Sequence, residues 1–180
     1  MLYNKFNTEI TPKVNQSGEK WFKSFFMSYE ERGAVRMSAN DFSNEFEHTI
    51  DSKSRMFLPA KYREFVGASV ILRMWDEGCL YLMTKEGWEA YIEKVHAVLP
   101  ETDNRMVYRR LFGTAADVPL DSQGRILIPQ KFMEHAGLKD KAIIVGAGTK
   151  AEIWAPSRWN ALNEDYDAEE MIRVLSANGL

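Results

Sequence analysis

Short bursts of alternating or continuous apolar residues, each broken by a turn signal, run through most of this chain, and they come in the same order twice. A β-prone segment at 46–50 leads into an Asp-Ser turn, and a short apolar strand follows at 56–58. Pro59 then stands where the start of a helix tolerates a missing N–H, and the short helix it opens stops near Gly67. Residues 70–74 read as a buried strand, and 80–83 as its hairpin partner across a glycine-containing turn. The second series places strands at 116–120 and 126–128, Pro129 before a helix that stops near Gly137, and strands at 142–145 and 151–154. Between the two series, Trp88, Tyr91, Ile92, Val95 and Leu99 fall at helical spacing, with Thr84 as N-cap. Met106, Tyr108, Leu111 and Phe112 predict a second linking helix, and Met171, Ile172 and Leu175 a C-terminal amphipathic one.

The periodicity is a true duplication. Residues 51–67 laid over 121–137 match at Asp51/Asp121, Ser52/Ser122, Arg55/Arg125, Pro59/Pro129, Lys61/Lys131, Glu64/Glu134 and Gly67/Gly137, seven of seventeen positions. Apolar residues also pair at 57/127, 58/128 and 62/132. After one inserted residue Leu82-Met83 aligns with Ile153-Trp154, and Trp88 with Trp159. The organisation expected is an N-terminal extension (1–40), module 1 (45–88), linking helices (89–114), module 2 (116–159) and a C-terminal helix or tail (160–180). Residues 1–40 hold no copy of the repeat. Met27 and Met37, both within them, offer later starts, so this segment is expected to be disordered or an over-called leader.

Composition adds bounds. The chain has 45% hydrophobic and 27% charged residues, enough for a packed core, and no apolar run nears the roughly 20 residues that span a bilayer. A secretory signal is not evident, and a single cysteine, Cys79, forms no internal disulfide, which points to a reducing cytoplasm. Catalytic and metal chemistry find little to use. His48, His96 and His135 are scattered and form no metal-binding pair, Cys79 has no neighbour to activate it, and Gly146-Ala-Gly148 reads as a hairpin turn rather than a dinucleotide loop. No catalytic residue, metal site, cofactor or small-molecule substrate is expected.

The net charge of −3 argues against nucleic acid, but its distribution does not. Residues 51–63 set Lys53, Arg55, Lys61 and Arg63 against Asp51 alone, and Arg105, Arg109 and Arg110 form a second basic knot. An Asp that fixes a turn and an Arg ion-paired to it would account for each D-x-x-x-R element singly. The recurrence of Arg55 as Arg125, with extra cations around the first copy, favours groove readout of DNA, because the planar guanidinium fork matches guanine O6/N7 and phosphate oxygens. The alternative is a structural or protein-interaction module that uses the duplicated scaffold without DNA; the acidic balance and the supply of Trp75, Trp88, Trp154 and Trp159 support it.

The stretch Phe46-Glu-His-Thr-Ile-Asp-Ser-Lys-Ser-Arg-Met-Phe-Leu-Pro, followed by Leu120-Asp-Ser-Gln-Gly-Arg-Ile-Leu-Ile-Pro, closely resembles the MraZ family of bacterial transcriptional regulators of the division and cell-wall gene cluster. The resemblance extends from about residue 42 to the C-terminus. It implies an α+β fold in which duplicated SpoVT–AbrB-type swapped-hairpin modules form a pseudo-two-fold barrel with flanking helices. It further implies a ring-shaped homo-oligomer that binds guanine-rich direct repeats in double-stranded promoter DNA, in the cytoplasm and on the nucleoid; the apolar helical surface of Trp88, Tyr91, Ile92, Val95, Tyr108, Leu111 and Phe112, more than two small modules need, is the expected assembly face. Arg55 and Arg125 would be the DNA contacts, with Asp51 and Asp121 orienting their loops and Lys53, Lys61 and Arg63 adding to the first. The first loop departs from the family pattern: Ser54 stands where the second copy has Gly124. If that position needs a positive φ, Ser54 is strained.

Overall fold

A computed structural model describes residues 42–102, 104–164 and 168–177; the expectation for residues 1–40 lies outside them. The strands are β1 (Glu45–Thr49), β2 (Arg55–Phe57), β3 (Ser69–Met74), β4 (Leu80–Met83), β5 (Ala115–Pro119), β6 (Arg125–Leu127), β7 (Lys141–Gly146) and β8 (Ala151–Trp154). The helices are α1 (Ala60–Arg63), α2 (Lys85–Val98), α3 (Arg105–Gly113), α4 (Gln130–Ala136), α5 (Pro156–Glu164) and α6 (Ala168–Ala177). The fold is mixed α+β, and all strand pairs are antiparallel.

The two repeats exchange strands. β1 of the first pairs with β7 of the second, and β5 of the second pairs with β3 of the first. A six-stranded sheet results, in the order β1-β7-β8-β4-β3-β5, and β2 pairs with β6 in a separate ribbon. Exchanging each strand for its counterpart four places on returns the same order reversed, so the topology has a two-fold through the β4–β8 and β2–β6 pairs. The core follows from this exchange. Met56, Leu58, Tyr62, Val70, Leu72, Leu80 and Leu82 from the first copy lie in one buried cluster with Ile126, Ile128, Phe132, Ile144 and Ile153 from the second. The opposite sheet face carries a smaller cluster of Cys79, Ile143 and Trp154, against which Trp75, Tyr81 and Trp159 pack.

One expectation changes. The strands do not close into a barrel: β1 and β5 are sheet edges, and single bridges (Ile50 with Met56, Leu120 with Ile126) are what join the sheet strands to the ribbon. The backbone turns sharply at each Asp-Ser loop, so a continuous ladder cannot run around the corner. The one-residue insertion is the net of two changes. β7 begins two positions later than the β3 alignment requires, and the β7–β8 turn is one residue shorter than the β3–β4 turn. α5 runs from Pro156 to Glu164 without a break at 159/160. It is the counterpart of α2, and each packs on its own repeat's first hairpin strand, α2 on β3 and α5 on β7.

Candidate nucleic-acid interface

The ribbon β2–β6 and its two loops carry Lys53, Arg55 and Arg125, and Lys61 and Arg63 lie on α1, whereas the knot of Arg105, Arg109 and Arg110 lies apart in sequence on α3. Asp51 holds loop 1 through a side-chain turn: Oδ1 accepts the amides of Lys53 (2.9 Å) and Arg55 (3.0 Å), and Oδ2 accepts Arg55 Nε (2.7 Å) and Nη2 (2.6 Å). Loop 2 repeats the arrangement, with Asp121 Oδ1 accepting the amides of Gln123 (2.9 Å) and Arg125 (3.0 Å) and Oδ2 accepting Arg125 Nε (2.8 Å) and Nη2 (2.7 Å). Hydrogen bonding to the Arg55 side chain, then to its amide, holds the Asp51 carboxyl down at about 2. Asp121 is lowered as well, first by the Arg125 amide and then by its side chain. Each arginine is thus fixed at its Nε edge, and the other donors of its five-donor fork lie outside the clamp.

The loops are locked to each other. Leu58 N donates to Gly124 O (3.1 Å) and Ile128 N to Ser54 O (2.9 Å), so each repeat's strand is tied to the other's turn. Asp121 also contributes to the raised pKa of Arg55, after the larger effect of Asp51, which places the loops within electrostatic reach. Both turns need a left-handed residue: Gly124 has φ 78°, and Ser54 has φ 59°. Ser54 therefore bears the strain that the sequence raised, without disturbing the Asp51 clamp on Arg55, whose bonds repeat those of Asp121 to Arg125.

Register sets the outward face. Arg55 opposes Leu127 and Phe57 opposes Arg125, while Met56 and Ile126 point inward and are fully buried. Two arginines and two exposed apolar side chains, Phe57 (44% exposed) and Leu127 (56%), therefore share one surface. The Arg125 guanidinium lies 5.6 Å from the centroid of the Phe57 ring. Phe57 and Leu127 were missed as site residues. The signal was present in their alternation with buried Met56 and Ile126, one position out of phase with the core.

The remaining cations divide. Arg63 lies directly over Gly124, in space that a side chain there would fill, so an α1 residue of the first repeat flanks the loop of the second. Its charge, after burial, lowers the pKa of His48. Lys53 sits at the exposed tip of loop 1. Lys61 Nζ donates to Ser43 Oγ (2.6 Å), and its counterpart Lys131 donates to Gly113 O (3.3 Å), so the recurrence of this lysine has a structural cause: it ties the short helix to the chain entering β1 or β5. Of the residues read as inert, His135 Nε2 bonds Trp75 O across the repeats (2.7 Å), and burial pushes the Cys79 thiol up to about 12. Among the described residues no group of side chains could hold a metal ion, and no helix is long and apolar enough to cross a membrane.

The family model of the MraZ protein matches twice, over residues 42–110 and 111–175. The chain belongs to the MraZ family. The MraZ transcriptional regulator of Heliobacterium modesticaldum is 42% identical over 125 residues, covering 68% of this chain and 87% of that protein. That of Roseiflexus sp. is 41% identical over 128 residues (71% and 90%), and that of Acetivibrio thermocellus 36% over 143 residues (77% and 99%). MraZ relatives carry the name of a transcriptional regulator, and the family is not enzymatic. The division between the two matches falls at residues 110/111, inside α3.

Proposed function

We propose that this chain is a sequence-specific DNA-binding regulator of transcription, reading double-stranded promoter DNA through the β2–β6 ribbon. The observation that carries the reading is the pair of Asp-clamped arginines, Arg55 and Arg125, on one exposed face with their loops locked together. A guanidinium held at one edge loses less entropy when it bonds a guanine edge or a phosphate, and a two-stranded ribbon fits the major groove. Asp51 and Asp121 orient the loops; Lys53 and Arg63 add phosphate contacts, and Lys61 keeps two ammonium donors beyond Ser43 for a peripheral one.

The strand exchange fits a pair of SpoVT–AbrB-type swapped hairpins on one chain, with modules at 45–88 and 116–159, linking helices at 89–114 and a C-terminal segment at 160–180. One such unit touches few phosphates and bases, so it binds weakly alone. Several units in a ring-shaped homo-oligomer would engage neighbouring direct repeats at high effective concentration. Exposed apolar residues on the linking helices, among them Val98, Met106, Val107 and Phe112, supply a surface for that association. The working place of such a protein is the cytoplasm, on the nucleoid.

The test is a gel shift on the DNA upstream of the neighbouring genes. The full chain gives ladder-like, salt-sensitive complexes. Arg55→Ala or Arg125→Ala weakens them by roughly 1–3 kcal/mol for each base the missing guanidinium would have bonded, with the fold unchanged. Wild-type affinity in both variants removes the arginines from the site. Absence of any shift favours the alternative of a protein-interaction scaffold.

A further inference from the structure

The backbone of the ribbon obeys a two-fold, but its side chains do not. Lys53 corresponds to Gln123, Ser54 to Gly124, Phe57 to Leu127 and Arg63 to Met133. These differences fall unevenly around the two arginines. Arg125 faces Phe57 across the ribbon, with its guanidinium 5.6 Å from the ring centroid, and its side chain is 19% exposed. Arg55 faces Leu127, which offers no ring, and its side chain is 34% exposed. Arg63 passes over Gly124 into the Arg125 half, and the side-chain-free glycine leaves room for it. In the Arg55 half Ser54 carries a side chain, Met133 is buried at the position equivalent to Arg63, and the added cation is Lys53 at the loop tip.

We propose that the two arms do unequal work: Arg125, held by Asp121 and Phe57, reads base edges, while Arg55 with Lys53 chiefly grips phosphate. The inference rests on the DNA-binding reading. Base readout needs a guanidinium whose plane is set before contact, because two hydrogen bonds must meet two acceptors at once. A carboxylate at one edge and a ring beneath set that plane for Arg125. Phosphate accepts bonds over a wide range of angles, so the less restrained Arg55 and the flexible Lys53 suit it. Phe57 is the specificity residue in this arrangement, acting through Arg125 and by its own exposed ring. Arg63 supplies the flanking cation of the base-reading half.

The experiment is selection from a randomised pool of double-stranded DNA with the full chain, followed by the same selection with variants. The wild type enriches an element without inversion symmetry. Phe57→Leu places the residue already tolerated at 127 on the opposite strand. It lowers base discrimination by about two- to fivefold, the worth of one exposed cation–π interaction, in one half of the element only. Arg125→Ala flattens base preference in that half, whereas Arg55→Ala lowers affinity and its salt dependence while leaving the preferred sequence in place. Enrichment of a perfect palindrome, or effects shared equally between the halves, overturns the division of labour while leaving DNA binding intact. No enrichment over unselected DNA removes the DNA-binding reading and this inference with it.

Discussion

At the scale of single residues, the two loops are the same device built from different side chains. Ser54 adopts φ 59°, a left-handed conformation that costs a non-glycine residue about 1–2 kcal/mol, and Gly124 takes φ 78° with no such cost. Ser54→Gly is therefore expected to raise stability by up to about 1 kcal/mol, the strain relieved less the extra freedom glycine gives the unfolded chain. Gly124→Ala is expected to lower it and to displace Arg63, whose side chain fills the space above. Urea denaturation of both variants checks the pair. The carboxylates carry a pH signature. Asp51 and Asp121 both have lowered values in the folded state, Asp51 about 2, so their contribution is fully present above the ordinary carboxylate value near 3.8 and is lost as pH falls towards 2. The loops are expected to stay clamped throughout the neutral and mildly acidic range. Carboxyl carbon titration by NMR, with midpoints at or above the ordinary value, would contradict the clamp.

At the scale of elements, the copies differ in how their helices are closed. α2 is capped by Thr84, whose Oγ1 accepts the Gly87 amide (2.9 Å) and whose side chain is buried. The equivalent residue before α5 is Ala155, and there the helix instead opens with Pro156, which needs no N–H partner. α2 runs for 14 residues and α5 for 9. Thr84→Ala is expected to cost about 1 kcal/mol, with the effect concentrated in the first turn of α2. Faster hydrogen exchange at the Gly87 amide, with the ribbon amides unaffected, is the measurement. The short helices diverge in the same way. α4 ends at Gly137 with φ 65°, its Leu138 amide returning to Met133 O (2.9 Å), whereas α1 stops after four residues.

At the scale of the whole molecule, strand exchange makes one core from two repeats, and it decides which apolar residues remain for a partner. The apolar positions of α3 look alike in sequence but separate in space: Tyr108 and Leu111 are buried inside the chain, while Met106, Val107 and Phe112 stay exposed. Leu111→Asp places an unpaired charge in the interior and is expected to unfold the protein. Phe112→Asp or Met106→Asp is expected to keep the fold and to reduce the proposed ring to smaller species, with affinity for repeated sites falling by more than one unit's own binding explains. Light scattering beside circular dichroism separates these outcomes. A wild-type monomer at micromolar concentration would remove the ring and its avidity.

Local pattern alone determined a good deal. Period-two runs, Pro59 and Pro129, Gly67 and Gly137, and the cap at Thr84 place most elements within a residue or two, because these signals act through backbone sterics and neighbours a few positions away. The duplication marked Asp51–Arg55 and Asp121–Arg125 as one device used twice, since an ion pair four residues apart across a turn is itself local. Alignment of Trp88 with Trp159 also held the signal for α5, which the fading of helical periodicity after residue 159 obscured. Tertiary structure decided the rest. Nothing local distinguishes β1 pairing within its own repeat from β1 pairing with β7; burial of Met56 and Ile126 back to back in a shared core selects the exchange. The open sheet, the passage of Arg63 over Gly124 and the stacking of Arg125 on Phe57 all follow from that choice. Each joins residues distant in the chain, and only the packing of the whole core brings them together.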